Sequence, residues 1–333
     1  MRFEFYHEGL SGVPKLSVDG MVEGAVHLTH WRGNRTPEEL LADTSTEIAL
    51  NLVASPRRQE LTQGIDLVTN NHFDTDGLLS VWAVLAGPRA LDLRELLVPA
   101  AEAGDFSEYT GAQAVRASIV IQGSDTPVAH GVASPLGRHL AGAAALDERR
   151  AYELLLPEVE RVLTRTDDYE PLWREAWAGV EAGLESFARG ASRVSEDEES
   201  GLSLVQIARD LYGPSGFDPA RHAAPFTAIS HHARGRVLLV ATPMRGGGCA
   251  YRIDYPYYSW AVTVERPRVE RRDLTRLLAR LNELEPSAEG RWAEDDSELT
   301  SAAKFLDAAG LPAASRLEPD AVAAELRAEL AGR

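Results

Sequence analysis

Only one cysteine, Cys249, occurs in the 333 residues, so no internal disulfide can form and no zinc module built from several cysteines fits. Any metal ion must be held by His, Asp or Glu, a donor set suited to manganese, magnesium, iron or zinc. No apolar run approaches the roughly 18 residues of a membrane span. The N-terminal MRFEFYHEGL lacks the basic and then apolar regions of a secretory leader. A cytoplasmic protein with no membrane partner is expected. Positive charge is scarce as well. Lys plus Arg number 34 against 51 Asp plus Glu, a formal net charge of −17, and such a field repels long polyanions. Long nucleic acid is not an expected partner, whereas a small phosphorylated substrate remains open because local cations or metal ions override the global charge. No P-loop, dinucleotide-binding glycine turn or Ser-His-Asp arrangement stands out.

What is present reads as a globular chain, 44% hydrophobic and 26% charged, long enough for two domains. MRFEFYH alternates like a strand, with PKLSVDG as its partner across a turn at Gly9, Gly12 and Pro14. Thr36-Pro37-Glu38-Glu39 opens a helix, and another runs from Thr44 to Val53. IDLVTNN is a short buried strand, and Gly77 to Gly87 a buried helix. RELLVPAAEAGDF and ASIVIQG are expected as further strands or their flanks, and residues 147–188 as helical. Beyond the acidic RGASRVSEDEESG, the segments PFTAISHH, GRVLLVATP and CAYRIDYPYYSWAVTVE read as strands. RRDLTRLLARLNELE reads as an amphipathic helix, WAEDDSELTSAAKF as an acidic helix start and EPDAVAAELRAELAG as a C-terminal helix. The expected fold is α/β, a mainly parallel sheet with flanking helices plus a smaller α+β C-terminal domain. Residues 1–190 would form a metal-binding α/β domain with an N-terminal extension, 191–201 an acidic linker and 202–333 a C-terminal substrate domain.

The most informative stretch is Asn70-Asn71-His72-Phe73-Asp74-Thr75-Asp76-Gly77. Alternate residues of an extended segment point the same way, so His72, Asp74 and Asp76 converge. Two carboxylates and an imidazole brought together repel unless a cation joins them. The position, at a strand-to-helix turn, is where open α/β sheets bind ligands. The competing reading is a polar turn in which Asp76 caps the helix.

HFDTDGLLS resembles the first motif of the DHH (Asp-His-His) phosphoesterase superfamily, a strand followed by His-x-Asp-x-Asp-Gly-x-x-Ser. The resemblance covers about a dozen residues. It implies that His72 and Asp74 hold one divalent ion and Asp76 the other, with manganese foremost and magnesium, iron or zinc open. The superfamily also uses a bridging aspartate on a later strand, then the Asp-His-His triplet, then a further aspartate. No Asp-His-His occurs in this chain. Asp105, with Asp125 as rival, is the candidate for the bridging carboxylate; His139 or His130 would replace the triplet histidine, and Asp167 or Asp168 the last aspartate. Asp76 and Asp105 are thus the expected catalytic carboxylates.

The family's C-terminal domain often binds substrate through a Gly-Gly-Gly-His turn; here Gly246, Gly247 and Gly248 precede Cys249. Arg245 and Arg252 flank the turn as forks for an anion, and Tyr255, Tyr257 and Trp260 offer faces for a flat ligand. A plain glycine hairpin explains the same residues equally well. His30, near Arg32, Asn34 and Arg35, is a second place where an anionic substrate could be clamped, or simply a loop tip.

The expected activity is metal-dependent hydrolysis of a phosphoester or phosphoanhydride in a short oligonucleotide, a nucleotide or a phosphorylated metabolite. Two alternatives stand beside it, a metal enzyme of DHH-like fold with other chemistry and a non-catalytic ligand-binding protein. The oligomeric state is open, a homodimer included.

Overall fold

The computed structural model describes residues 1–122, 147–295 and 301–331. The chain divides into two compact units, Met1–Trp177 with Ala261–Arg268, and Ala178–Trp260 with Val269–Arg333.

The first unit is built on a parallel sheet of four short strands, β1 (Arg2–Phe3), β2 (Lys15–Val18), β3 (Val26–Leu28) and β4 (Leu67–Thr69), in the order β1-β4-β2-β3. Every residue of β2 and β4 is buried, as expected of central parallel strands. The expected hairpin between β1 and β2 does not form. β4 inserts between them, parallel to both; a strand pattern in sequence says which face is buried, not which neighbour will pair. Residues 19–25 alone link β2 to the parallel β3, far less than the usual helical crossover.

Six described helices follow in this unit, α1 (Ser45–Ala54), α2 (Arg58–Leu61), α3 (Thr75–Ala86), α4 (Pro88–Leu91), α5 (Arg94–Asp105) and α6 (Ala112–Gln122). Three more, α7 (Glu148–Leu155), α8 (Val159–Thr164) and α9 (Glu170–Ala188), realise the helical pattern of residues 147–188. Thr44 caps α1 by accepting from Glu47 N. The helix expected at Pro37 is only a 3-10 turn, Glu38–Leu40. RELLVPAAEAGDF and ASIVIQG form α5 and α6 rather than strands. Short apolar runs do not separate a strand from a buried helix, and Pro99 inside α5 argues in sequence against the helix that forms.

The second unit has a mixed six-stranded sheet ordered β5-β6-β7-β8-β10-β9. Its strands are β5 (Arg193–Asp197), β6 (Leu202–Gln206), β7 (Val237–Pro243), β8 (Cys249–Asp254), β9 (Arg291–Glu294) and β10 (Ser301–Leu306). Only the β6–β7 pair is parallel. Helices α10 (Phe226–His232), α11 (Thr275–Leu284) and α12 (Pro319–Ala331) complete it, over a core that includes Leu239, Tyr251, Ile253, Trp292, Phe305 and Leu326.

Three expectations change here. The acidic stretch taken for a linker contains β5, an edge strand whose charges suit an exposed sheet margin; the division of the chain falls instead inside α9, after Trp177. PFTAISHH is the helix α10 rather than a strand. WAEDDSELTSAAKF contributes to β9 and β10, not to a helix start.

Candidate metal centre

Because β4, β2 and β3 are parallel neighbours, their C-terminal ends open on one edge of the sheet, the edge where α/β proteins place ligands. Asp19 directly follows β2, His30 lies two residues beyond β3, and the segment Asn70 to His72 follows β4. Asp19 has φ +46, and among the described residues only it and Ser107 (φ 49) are non-glycine residues at positive φ. Aspartate tolerates this left-handed conformation better than most side chains. Such strain collects where a side chain must point in a set direction.

Asp76 lies in the first turn of α3, which packs on α1. Its two carboxylate oxygens accept from the amides of Ser45 and Thr46 at the start of α1, each at 2.7 Å. Asp74, not Asp76, caps α3. Its Oδ1 accepts from Gly77 N at 2.7 Å, which leaves Oδ2 to face His72 Nε2 at 3.3 Å. A carbonyl can only accept, so the contact of His30 Nδ1 with the Asp43 carbonyl puts the proton on Nδ1. His30 Nε2 then faces Asp105 Oδ2 at 3.1 Å, Asp19 Oδ1 at 3.5 Å and Asp76 Oδ2 at 3.8 Å.

Two donor sets result, Asp19 with His30, Asp76 and Asp105, and Asp19 with His72 and Asp74; within each set the ligand atoms lie within 4.8 Å of one another. Asp19 belongs to both. Its Oδ1 faces His30, and its Oδ2 stands 3.2 Å from His72 Nε2. Asp19 Oδ2 and Asp105 Oδ2 are buried and accept no hydrogen bond among the described residues, although each is close to an imidazole nitrogen. Close approach outside hydrogen-bond geometry is what donor atoms aimed at a common point produce. Buried carboxylate oxygens are unfavourable unless a positive charge serves them, whether a protonated imidazole or a metal ion.

Burial pushes Asp19 and Asp76 above the usual carboxylate range, with Asp74 adding to the rise at both. Burial, opposed by His30 and reinforced by Asp76, takes Asp105 up to about 7. Burial favours neutral imidazoles, yet Asp105, Asp76 and Asp19 carry His30 up to about 10, and Asp19 and Asp74 carry His72 up to about 11. Burial also works on Asp74, but His72 and the Gly77 amide hold it low. Four carboxylates and two imidazoles make up a set of hard oxygen and imidazole donors that could hold a divalent ion.

Of the residues expected from sequence, His72, Asp74, Asp76 and Asp105 meet here. Asp105, at the end of α5, belongs to the His30 set alone; the carboxylate common to both sets is Asp19, which precedes the motif in the chain. His30, expected beside an anion, is fully buried among the carboxylates. For Asp19 the sequence offers only a weak signal, an apolar strand that ends in Asp-Gly. His139, His130 and Asp125 lie outside the described residues. Asp167 and Asp168 sit in the 3-10 turn Thr166–Tyr169, facing Arg116 and Arg161. Arg35 is exposed, and its backbone N–H donates to His27 Nδ1.

In the second unit, Gly246, Gly247 and Gly248 all take positive φ in the β7–β8 turn, as a tight glycine hairpin requires. Arg245 beside them is exposed. Arg252 does not offer an open fork. Its guanidinium binds Asp254 Oδ1 at 3.0 Å and lies over the Phe226 ring. Tyr255 is not a stacking platform, because it is buried in the core and its hydroxyl accepts from Arg272 N.

Comparison with curated proteins gives no match. One family model covers residues 2–328, and the chain therefore belongs to the family of unknown function DUF6687.

Proposed function

We propose that the protein is a divalent-metal-dependent hydrolase acting on a phosphoester or phosphoanhydride of a small substrate, with Mn2+ as the first ion to try. The observation that carries this reading is the division of Asp19 between two His/Asp donor sets, the arrangement of a two-ion centre. His72, Asp74 and Asp19 would hold one ion, and Asp76, Asp19, His30 and Asp105 the other. Bound divalent ions supply Lewis-acid activation of water and of a phosphoryl oxygen. The protein's part is preparation: the α1 amides fix both oxygens of Asp76, the Asp43 carbonyl fixes the His30 tautomer, and Gly77 N fixes Asp74.

The reading agrees with the ligand roles that the DHH resemblance implies, one shared aspartate, one imidazole and one further aspartate beside the motif. The order along the chain differs, since Asp19 and His30 come before His72. The acidic net charge supports a small substrate over long nucleic acid.

The test is a panel of short oligonucleotides, nucleotides, inorganic pyrophosphate and an aryl phosphodiester, assayed with Mn2+ and with chelator. Metal-dependent hydrolysis that disappears in folded Asp76→Asn is the expected result. Undiminished hydrolysis in that variant, or none by the wild type on any member after Mn2+ loading, refutes the proposal.

A further inference from the structure

The segment Ala261–Arg268 belongs to the first unit although the chain on either side of it belongs to the second. It fastens onto residues that hold one of the two donor sets. The Asp43 carboxylate accepts from the amides of Val264, Glu265 and Arg266 and from Arg266 Nη1 at 2.8 Å. The same residue's carbonyl holds His30 Nδ1, and the carbonyl of His30 accepts from Val262 N at 2.7 Å. Arg266 also reaches α5 and the loop after it, with Nε 3.0 Å from Glu108 Oε1 and Nη2 2.8 Å from Glu102 Oε1. Glu102 and Glu108 stand on either side of Asp105 in sequence. Between them, Phe106 lies under the Arg266 guanidinium at 4.8 Å and against the His30 ring at 5.8 Å.

We infer that Arg266 and Asp43 are positioning residues that set the His30–Asp105 half of the metal centre and leave the His72–Asp74 half to other supports. This rests on the metal-centre reading above. The other half has its own fixtures, none of them in this segment: Asn70 Oδ1 accepts from His72 N, Tyr152 donates to the His72 carbonyl, and Gly77 N donates to Asp74. A guanidinium is suited to the task because its planar fork engages several carboxylates at fixed angles, which an ammonium does not. Partners one bond removed from a metal ligand orient it, and their loss typically weakens metal affinity by about 10- to 100-fold.

The experiment is Mn2+ titration of the full chain by calorimetry, with ion content by mass spectrometry and the spin-coupled Mn2+ pair followed by electron paramagnetic resonance. Wild type should take up two ions. Arg266→Met should weaken one ion by about 10-fold or more and the other by less than about 2-fold, and the coupled-pair signal should appear only at higher Mn2+. Arg266→Lys, which keeps the charge but not the fork, should fall between. If Arg266→Met does not fold, Glu108→Gln removes one arm of the fork and must show the same selectivity in smaller measure. Equal weakening of both ions, or of neither, overturns the inference while leaving the metal centre standing. A wild type that binds no ion overturns the metal centre, and this inference with it.

Discussion

Replacing Asp19 with asparagine is the sharpest probe of the centre. Asp19 is fully buried, and each of its oxygens faces a different donor set. Asparagine keeps the shape and an oxygen able to accept from Ser45 Oγ, the partner of Asp19 Oδ1, but it loses the charge and one of the two ligand oxygens. A ligand that binds only the folded state at about 100 times its dissociation constant stabilises by about 2.7 kcal/mol, so two ions give about 5 kcal/mol. At about 2–4 °C per kcal/mol for a unit of this size, Mn2+ should raise the wild-type Tm by about 10–20 °C. A hundredfold weakening of each ion, the upper figure for an outer-shell partner and a modest one for a direct ligand, leaves about 0.4 kcal/mol per ion at the same Mn2+. The shift in Asp19→Asn should therefore shrink to about 2–3 °C. Asp74→Asn, which touches one set only, should keep about half of the wild-type shift. Thermal melts by circular dichroism with chelator and with Mn2+ decide the matter. A full Mn2+ shift in Asp19→Asn, or no shift in the wild type, refutes the assignment of Asp19 as the shared ligand.

Other consequences follow from neighbouring residues. Burial alone would raise the Asp43 carboxyl, but the amides of Val264, Glu265 and Arg266 and the Arg266 guanidinium hold it below its usual value of 3.8. A depressed carboxyl stabilises the fold above its unfolded pKa and loses that contribution as pH falls through the folded one. Wild type should therefore lose stability more steeply than Asp43→Asn as pH drops below about 4, as urea melts at stepped pH will record; parallel losses contradict this. Gly77→Ala places a Cβ 2.7 Å from Asn70 Nδ2, 2.8 Å from the Tyr152 hydroxyl and 3.0 Å from Asp74 Oδ1. It should cost about 1–3 kcal/mol in denaturant melts and weaken Mn2+ binding with it. Leu16→Ala empties a fully buried position on β2 and should cost about 2–5 kcal/mol.

Local rules made several parts of this molecule legible from its sequence. The strand β4, the turn at His72 to Gly77, the helix after it and the long helical stretch before Ala188 all follow from periodicity, capping and turn chemistry, which act over a few residues. The approach of His72 to Asp74 was legible for the same reason, whereas Asp76 lies in the first turn of α3 and joins the other donor set. Tertiary structure decided the rest. That β4 lies between β1 and β2 fixes which loops share the ligand edge of the sheet, and that choice brings Asp19 and His30 to the motif from outside it. Apolar runs around Leu97 and Val120 suit a strand or a helix, and only burial against α3 and each other settled them as α5 and α6, so Asp105 arrives at the end of a helix. The reach of Arg266 to Asp43 spans more than 200 residues, and no local pattern records it. Which side chains gather as candidate ligands depends on pairings between distant segments, because hydrophobic burial selects the neighbours of a strand and the sequence around a single aspartate does not.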